Sequence, residues 1–397
     1  MEEIKPVSII TVKSKISLFK GDEVAHSIEL LQFEENGFEV VSGKDLYQIG
    51  EKVVFIQPDY CIPDNKLFEE YIRPNGDEKK CKLGSNNRIR AIKFNLHKGD
   101  GLPIYSQGIV LDYDDVKLFL YFDDYGKNYK GVIIEAETDL AKKLGITKWE
   151  QPDEKNSGGL NKGSSKPFPS GMYKTDESNI NNLWNRMEYP IELIGTVKVD
   201  GSSFSMFYRN GESGICSRQL LKPLTYQKCI GYRKMNVVDW FKNLFGHRPN
   251  LEIYEWVESD SDFVVYGKPL LKKFVEYCKT TNRNLALRGE LSGSTLKGSG
   301  NKNNPASKKE PNIKFYSLDM YEQGTVRFGE KEFVEVIDAC DFERCPVVMF
   351  QTFNSREEIE EACNYYFKYN MVEGIVLRTP NHQWSGKFMN PSYDAKK

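Results

Sequence analysis

The chain has 397 residues, of which 39% are hydrophobic and 28% charged, with a formal charge of −2 and a pI near 6.2. That length allows two or three domains with ordinary cores, and the composition excludes a disordered chain. No apolar run approaches membrane-spanning length, Met1-Glu2-Glu3-Ile4-Lys5 is not a signal peptide, and the near-neutral charge neither supports nor excludes nucleic acid as partner.

Short strand signals broken by turn residues dominate residues 5 to about 150. They are Val7–Val12, Gly37–Val41 followed by Gln48–Ile56, Arg88–Phe94 and Gly108–Leu111. Strands at this spacing with few helical patterns predict a small all-β barrel over 1–148. Arg88, Arg90 and Lys93 alternate with Ile89 and Ile92, so three cations would project from one strand region. Both a solvated strand face and a nucleic-acid-facing patch fit that pattern. Residues 149–167 are rich in Gly, Ser, Pro and charge and read as an exposed linker.

The second domain, 168–397, mixes strands and helices, so the chain as a whole is α+β with antiparallel sheets expected in both parts. Pro190–Ile194 and Phe204–Tyr208 are strands, with a turn at Arg209–Glu212. Leu270, Leu271, Phe274, Val275 and Cys278 follow helical periodicity to about Thr280. Strands follow at Leu285–Leu291, Ile313–Tyr321 and Gly374–Arg378, and Ser355 to Glu358 is a capping box that opens a helix to about Tyr369. Trp184, Tyr208 and Phe315 read as core rather than as base-stacking platforms.

The cysteines, Cys61, Cys81, Cys216, Cys229, Cys278, Cys340, Cys345 and Cys363, form no Cys-x-x-Cys pair, and the four histidines show no metal-ligand spacing. Structural zinc is not expected, and reduced thiols in a cytoplasmic or other intracellular compartment are.

Chemistry concentrates after residue 195. Lys198-Val199-Asp200-Gly201 stands at a strand end, and Lys-x-Asp-Gly is expected only about 0.1 times in a chain this long at average usage. Further on come Cys216-Ser217-Arg218, Arg288-Gly289-Glu290-Leu291, Phe315-Tyr316-Ser317-Leu318-Asp319, Glu373 through Arg378, and Ser385-Gly386-Lys387. One nucleophile candidate with carboxylates and several cations beside glycines or strand ends suits phosphate chemistry with a divalent metal.

This ordered set resembles the covalent nucleotidyltransferases, the ATP-dependent polynucleotide ligases and mRNA capping enzymes, over nearly all of 168–397. In the N-terminal half, Gly37–Val41, Ile49–Ile56, Asn87–Lys93 and Ser106–Gly108 look like the OB-fold module of nick-sealing RNA ligases of the Naegleria and Deinococcus type. Tyr173-Lys174-Thr175-Asp176-Glu177 is similar to that clade's entry into the transferase domain. The resemblance implies that Lys198 is the nucleophile that carries AMP. Asp200, Glu290 and Glu373 would hold Mg2+ or Mn2+ through its waters, with Glu290 alternatively bonding the ribose. Gly201 lies in the nucleotide-binding motif, Arg218 would meet ribose or phosphate, Arg378 the triphosphate or the nick, and Lys387 the α-phosphate. Where the family places an adenine-stacking aromatic this chain has Leu318, with Tyr316 two residues back on the same strand face as a substitute. The final motif carries Ser385 where a second lysine is common. Asp319 fits either the motif or a plain strand-end carboxylate.

The implied substrate is RNA, a nicked duplex or an RNA/DNA hybrid, with ATP as cofactor and a monomeric enzyme. Arg88, Arg90 and Lys93 would dock the duplex. A DNA ligase or a capping guanylyltransferase would carry a further OB domain after the last motif, whereas ten residues follow Lys387. A non-catalytic protein that binds nucleic-acid ends is the alternative from another class.

Overall fold

In the computed structural model the described residues are 5–125, 139–149, 161–162, 166–172, 177–245, 251–293, 304, 306, 308–321 and 326–394. The segment Tyr173–Asp176 and most of the 149–167 stretch lie outside them.

Val7–Lys20 is the spine of the N-terminal half. It turns back through Gly21, whose φ of +62° suits a two-residue hairpin, into Glu23–Phe33. The antiparallel sheet runs Glu39–Gly43, Glu23–Phe33, Val7–Lys20, Lys52–Ile56, Ile109–Asp112. Lys52–Ile56 is buried on both faces, with Val53 and Phe55 against Ile10, Leu31 and Phe38, and Val54 and Ile56 against Ile62, Val116 and Leu120. Each such side chain taken from water contributes about 1.5–3 kcal/mol.

The second of those clusters corrects the all-β expectation, because it is built on the helix Tyr113–Tyr125 and the short helix Leu140–Lys143. Asp112 Oδ1 accepts from the N–H groups of Asp114 and Asp115, a cap that the Asp-rich stretch after Leu111 could have signalled. The sheet's two edges are also drawn together. Gln107 N–H donates to the Glu39 carbonyl and Val41 N–H to Ser106 Oγ, while Ile109–Asp112, the opposite edge, pairs with Lys52–Ile56. Gly108 makes this crossing with φ +110°, and a Cβ there would lie 2.4 Å from the Phe55 ring.

The C-terminal half holds two larger antiparallel sheets. One runs Lys166–Pro167, Leu220–Lys222, Glu212–Cys216, Ser202–Arg209, Leu285–Ser292, Asn312–Met320, Val326–Arg327. Phe204, Met206 and Ile215 bury one of its faces against Phe263, Leu271, Phe274 and Cys278 of the helix Asp262–Thr281, which stops at left-handed Asn282. The other sheet runs Ser178–Asn179, Ser385–Met389, Gly374–Arg378, Ile191–Lys198, Val347–Phe353 and is covered by the capped helix Arg356–Tyr369. Its one parallel pairing joins Ser178–Asn179 to Gly386 and Lys387. A third sheet combines Asn161–Lys162, Thr225–Tyr232 and Glu252–Glu258. Within the expected linker, Asn161–Lys162 and Lys166–Pro167 therefore pair with strands of the C-terminal half.

Trp184 and Phe315 are core residues and Tyr208 packs against the same core as Phe315, as expected. No helix among the described residues is long and apolar enough to cross a membrane. The eight cysteines are free thiols.

Candidate active site

Lys198 ends a strand of one large sheet and Ser202 begins a strand of the other, so Val199-Asp200-Gly201 is the passage between them. Gly201 is required by close approach, since a Cβ there would lie 2.5 Å from the Leu291 carbonyl oxygen. Register brings the rest. Lys198 pairs with Gly374, which sets Glu373 beside it; Ser203 pairs with Glu290; and Val376 and Asn179 flank Lys387.

Lys198 Nζ donates to Glu373 Oε2, and both side chains are about a quarter exposed, at 26% and 21%. Desolvation alone would lower the lysine pKa, but Glu373, then Glu290 and Asp200, outweigh it and hold the ammonium above its ordinary value. Glu290 is pushed up to about 8 by burial, relieved in part by Lys198 and reinforced by Glu373, Glu177 and Asp200. Lys387 is lowered by desolvation and by the Lys198 ammonium, against smaller pulls from Asp59, Glu373 and Glu177. The two lysines and three carboxylates singled out in the sequence are thus one electrostatic unit. Asp200 has two further anchors: Tyr393 Oη donates to its Oδ2 at 2.8 Å, and Asn304 Nδ2 donates to its carbonyl at 2.9 Å.

Other expected residues are placed differently. Leu318 is fully buried in the hydrophobic core with Phe315. A bulge opposite Arg288–Gly289 makes Tyr316 the extra residue, because Arg288 pairs with Ser317 and Gly289 with Phe315. The bulge breaks the period-two phase, so Tyr316 and Leu318 do not share a face, and of the two adenine candidates only Tyr316 keeps an exposed surface. Its ring is 5.2 Å from the Arg378 guanidinium. Arg378 is 3% exposed, ion-paired to Glu177 at 2.8 Å and bonded to Thr196 Oγ1, so here its guanidinium is engaged by groups of the protein itself. Beside Tyr316 and Arg378 lies an enclosed space of about 10 Å³, also lined by Glu330 and His382, which is room for one water rather than a nucleotide. Asp319 is a structural carboxylate, fully buried between Arg288 and Arg327. Arg218 is exposed at the turn after Glu212–Cys216.

The three N-terminal cations do not project from one strand. Only Lys93 lies in Ile92–Phe94, and all three are half-buried. Arg88 is committed to Asp59 at 2.6 Å, with its guanidinium 3.9 Å over the Trp149 ring. That pair stands close to the lysines, since the Asp59 carboxylate acts on Lys387. Asn182 Nδ2 donates to Gln57 and Asn181 Nδ2 to Gln107, so the two halves of the chain meet just beyond the Asn179–Lys387 pairing. Glu177, Tyr393 and Asp59 were missed in the sequence. For Tyr393 a signal existed, the Asn390-Pro391 pair that starts a helical turn after the last strand.

The model of the RNA ligase family matches residues 191–390, a span that contains Lys198, Asp200, Glu290, Glu373, Arg378 and Lys387. This chain belongs to the RNA ligase family. No curated protein matches it. Among solved structures it is similar to a mutant of the Naegleria gruberi RNA ligase with ATP and Mn, at TM-score 0.67 and 19% identity, covering 98% of this chain and 96% of the other. The Naegleria gruberi RNA ligase with PPi gives TM-score 0.67, 19% identity and 98% coverage of both chains. A second mutant, with AMP and Mn, gives 0.66, 20% and again 98% of both. At that identity the likeness is one of fold, a mixed α+β chain with antiparallel sheets over both halves. The N-terminal cations and Tyr393 lie outside the span matched by the RNA ligase family.

Proposed function

We propose that this RNA ligase is ATP-dependent and seals nicks with a 3′-hydroxyl and a 5′-phosphate through a lysyl-AMP intermediate. The observation that carries the reading is the Lys198 amine at a strand end, bonded to Glu373 and within the fields of Asp200, Glu290 and Lys387. Similarity in fold to a ligase with ATP and Mn, and with AMP and Mn, supports the same cofactors here.

Lys198 Nζ would attack the α-phosphorus of ATP, forming a P–N bond as the bond to pyrophosphate breaks. The AMP then passes to the RNA 5′-phosphate, and the 3′-hydroxyl displaces it. Only the neutral amine attacks, and the proton that must leave Nζ already lies on a hydrogen bond to the Glu373 carboxylate. Lys387 lies beside the reacting lysine, and its ammonium, disfavoured by burial and by Lys198, would be favoured by the negative charge of a bound phosphoryl group that it in turn stabilises.

A divalent cation fits this donor set. Glu290 is held protonated by burial and like charge, a surplus that a cation would relieve. Mg2+ or Mn2+, which keeps several of its waters, would be held through them by Asp200, Glu290 and Glu373. Bound there, the ion would supply positive charge that lowers the lysine pKa and offsets phosphate charge. Tyr316 is the adenine-facing candidate, and Gly201 lets the backbone approach the nucleotide. Arg218 is the exposed cation for ribose or phosphate.

We read 1–148 as an OB-type nucleic-acid module, 149–167 as the connection and 168–397 as the transferase domain of a monomer. The approach of the two sheet edges through Gln107 and Ser106 supports the barrel. Arg90 and Lys93, with Arg88 braced on Asp59, would face the duplex or an RNA/DNA hybrid.

The test is incubation with α-labelled ATP or GTP and Mg2+ or Mn2+, followed by a denaturing gel and sealing assays on RNA nicks. Label from ATP that disappears in Lys198→Ala is expected. Label from GTP alone would overturn the reading, as would nick binding by protein that never becomes labelled.

A further inference from the structure

Asn390–Asp394 is a short turn that meets the Asp200 carboxylate and the Glu373 backbone. Asn390 Oδ1 accepts from Ser392 N–H at 3.1 Å and Ser392 Oγ at 2.6 Å, and Pro391 opens the helical turn. Asn390 is fastened to the strand entry that carries Glu373. Its N–H donates to the Glu373 carbonyl at 2.9 Å and its Nδ2 to the Val372 carbonyl at 2.9 Å. The turn then aims Tyr393, 3% exposed, at Asp200, where its hydroxyl donates to Oδ2 at 2.8 Å. Ser392 also lies near the Tyr105 hydroxyl of the N-terminal half, where it opposes the rise in the phenol pKa that burial causes. One short turn therefore touches both ends of the carboxylate set, across 193 residues of sequence in the case of Tyr393 and Asp200.

We infer that Tyr393 is a positioning residue, whose hydroxyl fixes the Asp200 carboxylate in the orientation that serves the divalent cation. The inference rests on the proposed ligase reading of this site. A phenol donor on Oδ2 restrains rotation of the carboxylate and so sets the direction in which both of its oxygens point, while Asn390 holds the Glu373 strand at matching depth. Partners of this kind around metal-binding carboxylates change metal affinity or activity about 10- to 100-fold when removed.

The test is Tyr393→Phe, which keeps the buried ring and deletes only the donor. The Mn2+ concentration that gives half-maximal Lys198 labelling from ATP should rise about tenfold or more. Mn2+ binding, read by electron paramagnetic resonance in Lys198→Ala protein with ATP, should weaken by a similar factor. In an Asp200→Asn background Tyr393→Phe should change neither quantity. Unchanged Mn2+ dependence in Tyr393→Phe, whatever its melting temperature, overturns the inference, and so does an equal loss in the Asp200→Asn background. If the wild type takes no label from ATP, the ligase reading fails on its own. The inference is then judged by Mn2+ binding without ATP, where weaker binding by Tyr393→Phe supports it and equal or absent binding overturns it.

Discussion

Lys198 Nζ and Glu373 Oε2 share a hydrogen bond across neighbouring strands, fixed by the pairing of Lys198 with Gly374. The carboxylate that orients the nucleophile also keeps it protonated, since Glu373, Glu290 and Asp200 together overcome the desolvation that would lower its pKa. Lysine adenylylation at a constant fraction of bound metal should therefore rise with pH, close to tenfold per unit between about pH 6 and 8, because the neutral amine is a small and growing fraction below a raised pKa. Single-turnover labelling checks this, and a flat profile would count against Nζ as the group that must lose a proton.

Glu290 supplies a second pH effect. Its carboxyl, near 8 in the folded protein against an ordinary 4.5, stays protonated after the unfolded chain has ionised. The folded state then binds more protons between those values, so metal-free stability falls as pH rises from about 4.5 to 8 and levels off above, by a few kcal/mol at most. Glu290→Gln should flatten that slope in metal-free urea titrations. Mn2+ affinity should climb through pH 8 in the wild type as the carboxylate forms, and not in the variant.

Arg378 and Glu177 are a buried pair. Removing the cation leaves a buried carboxylate uncompensated, so Arg378→Ala should cost about 3–5 kcal/mol in urea denaturation. The double variant Arg378→Met Glu177→Leu should recover most of that loss. A normal melting curve for Arg378→Ala with a raised KM for ATP would instead favour the phosphate-contact role.

Leu318 and Tyr316 separate in the same way. Leu318→Ala opens a core cavity and should destabilise by about 2–5 kcal/mol with the KM for ATP nearly unchanged. Tyr316→Ala should raise that KM several-fold with a smaller loss of stability. Measuring both quantities on both variants decides which side chain meets the adenine.

The N-terminal cations predict graded effects. Lys93→Glu and Arg90→Glu should weaken nick binding and reduce the dependence of log K on log salt by about one unit for each phosphate that the variant no longer neutralises. Arg88→Glu should in addition unfold the Asp59–Trp149 corner, read as a change in Trp149 fluorescence once the guanidinium leaves the ring. Unchanged binding and salt slope in the triple charge reversal would remove these residues from the interface.

Strand ends were legible in the sequence because apolar runs, glycines and turn residues are local signals. Lys198, Asp200, Glu290, Glu373 and Lys387 stood out by residue type and by the resemblance of their ordered motifs to a known family, and the structure brings them together. The alternation rule failed at Tyr316, where one inserted residue reverses the phase of the strand. Whether an arginine meets a phosphate or a buried glutamate is likewise not a local property: Arg378 and Glu177 are 201 residues apart. The sequence by itself marked the candidate groups for phosphoryl-transfer chemistry beside glycines and strand ends, although Glu290 and Lys387 lie within their strands. Only the tertiary structure decided the direction of the Lys198 pKa and the partner of Asp200, because both depend on Coulomb and hydrogen-bond terms that fall off within a few ångströms, and those separations exist only after the sheets have paired.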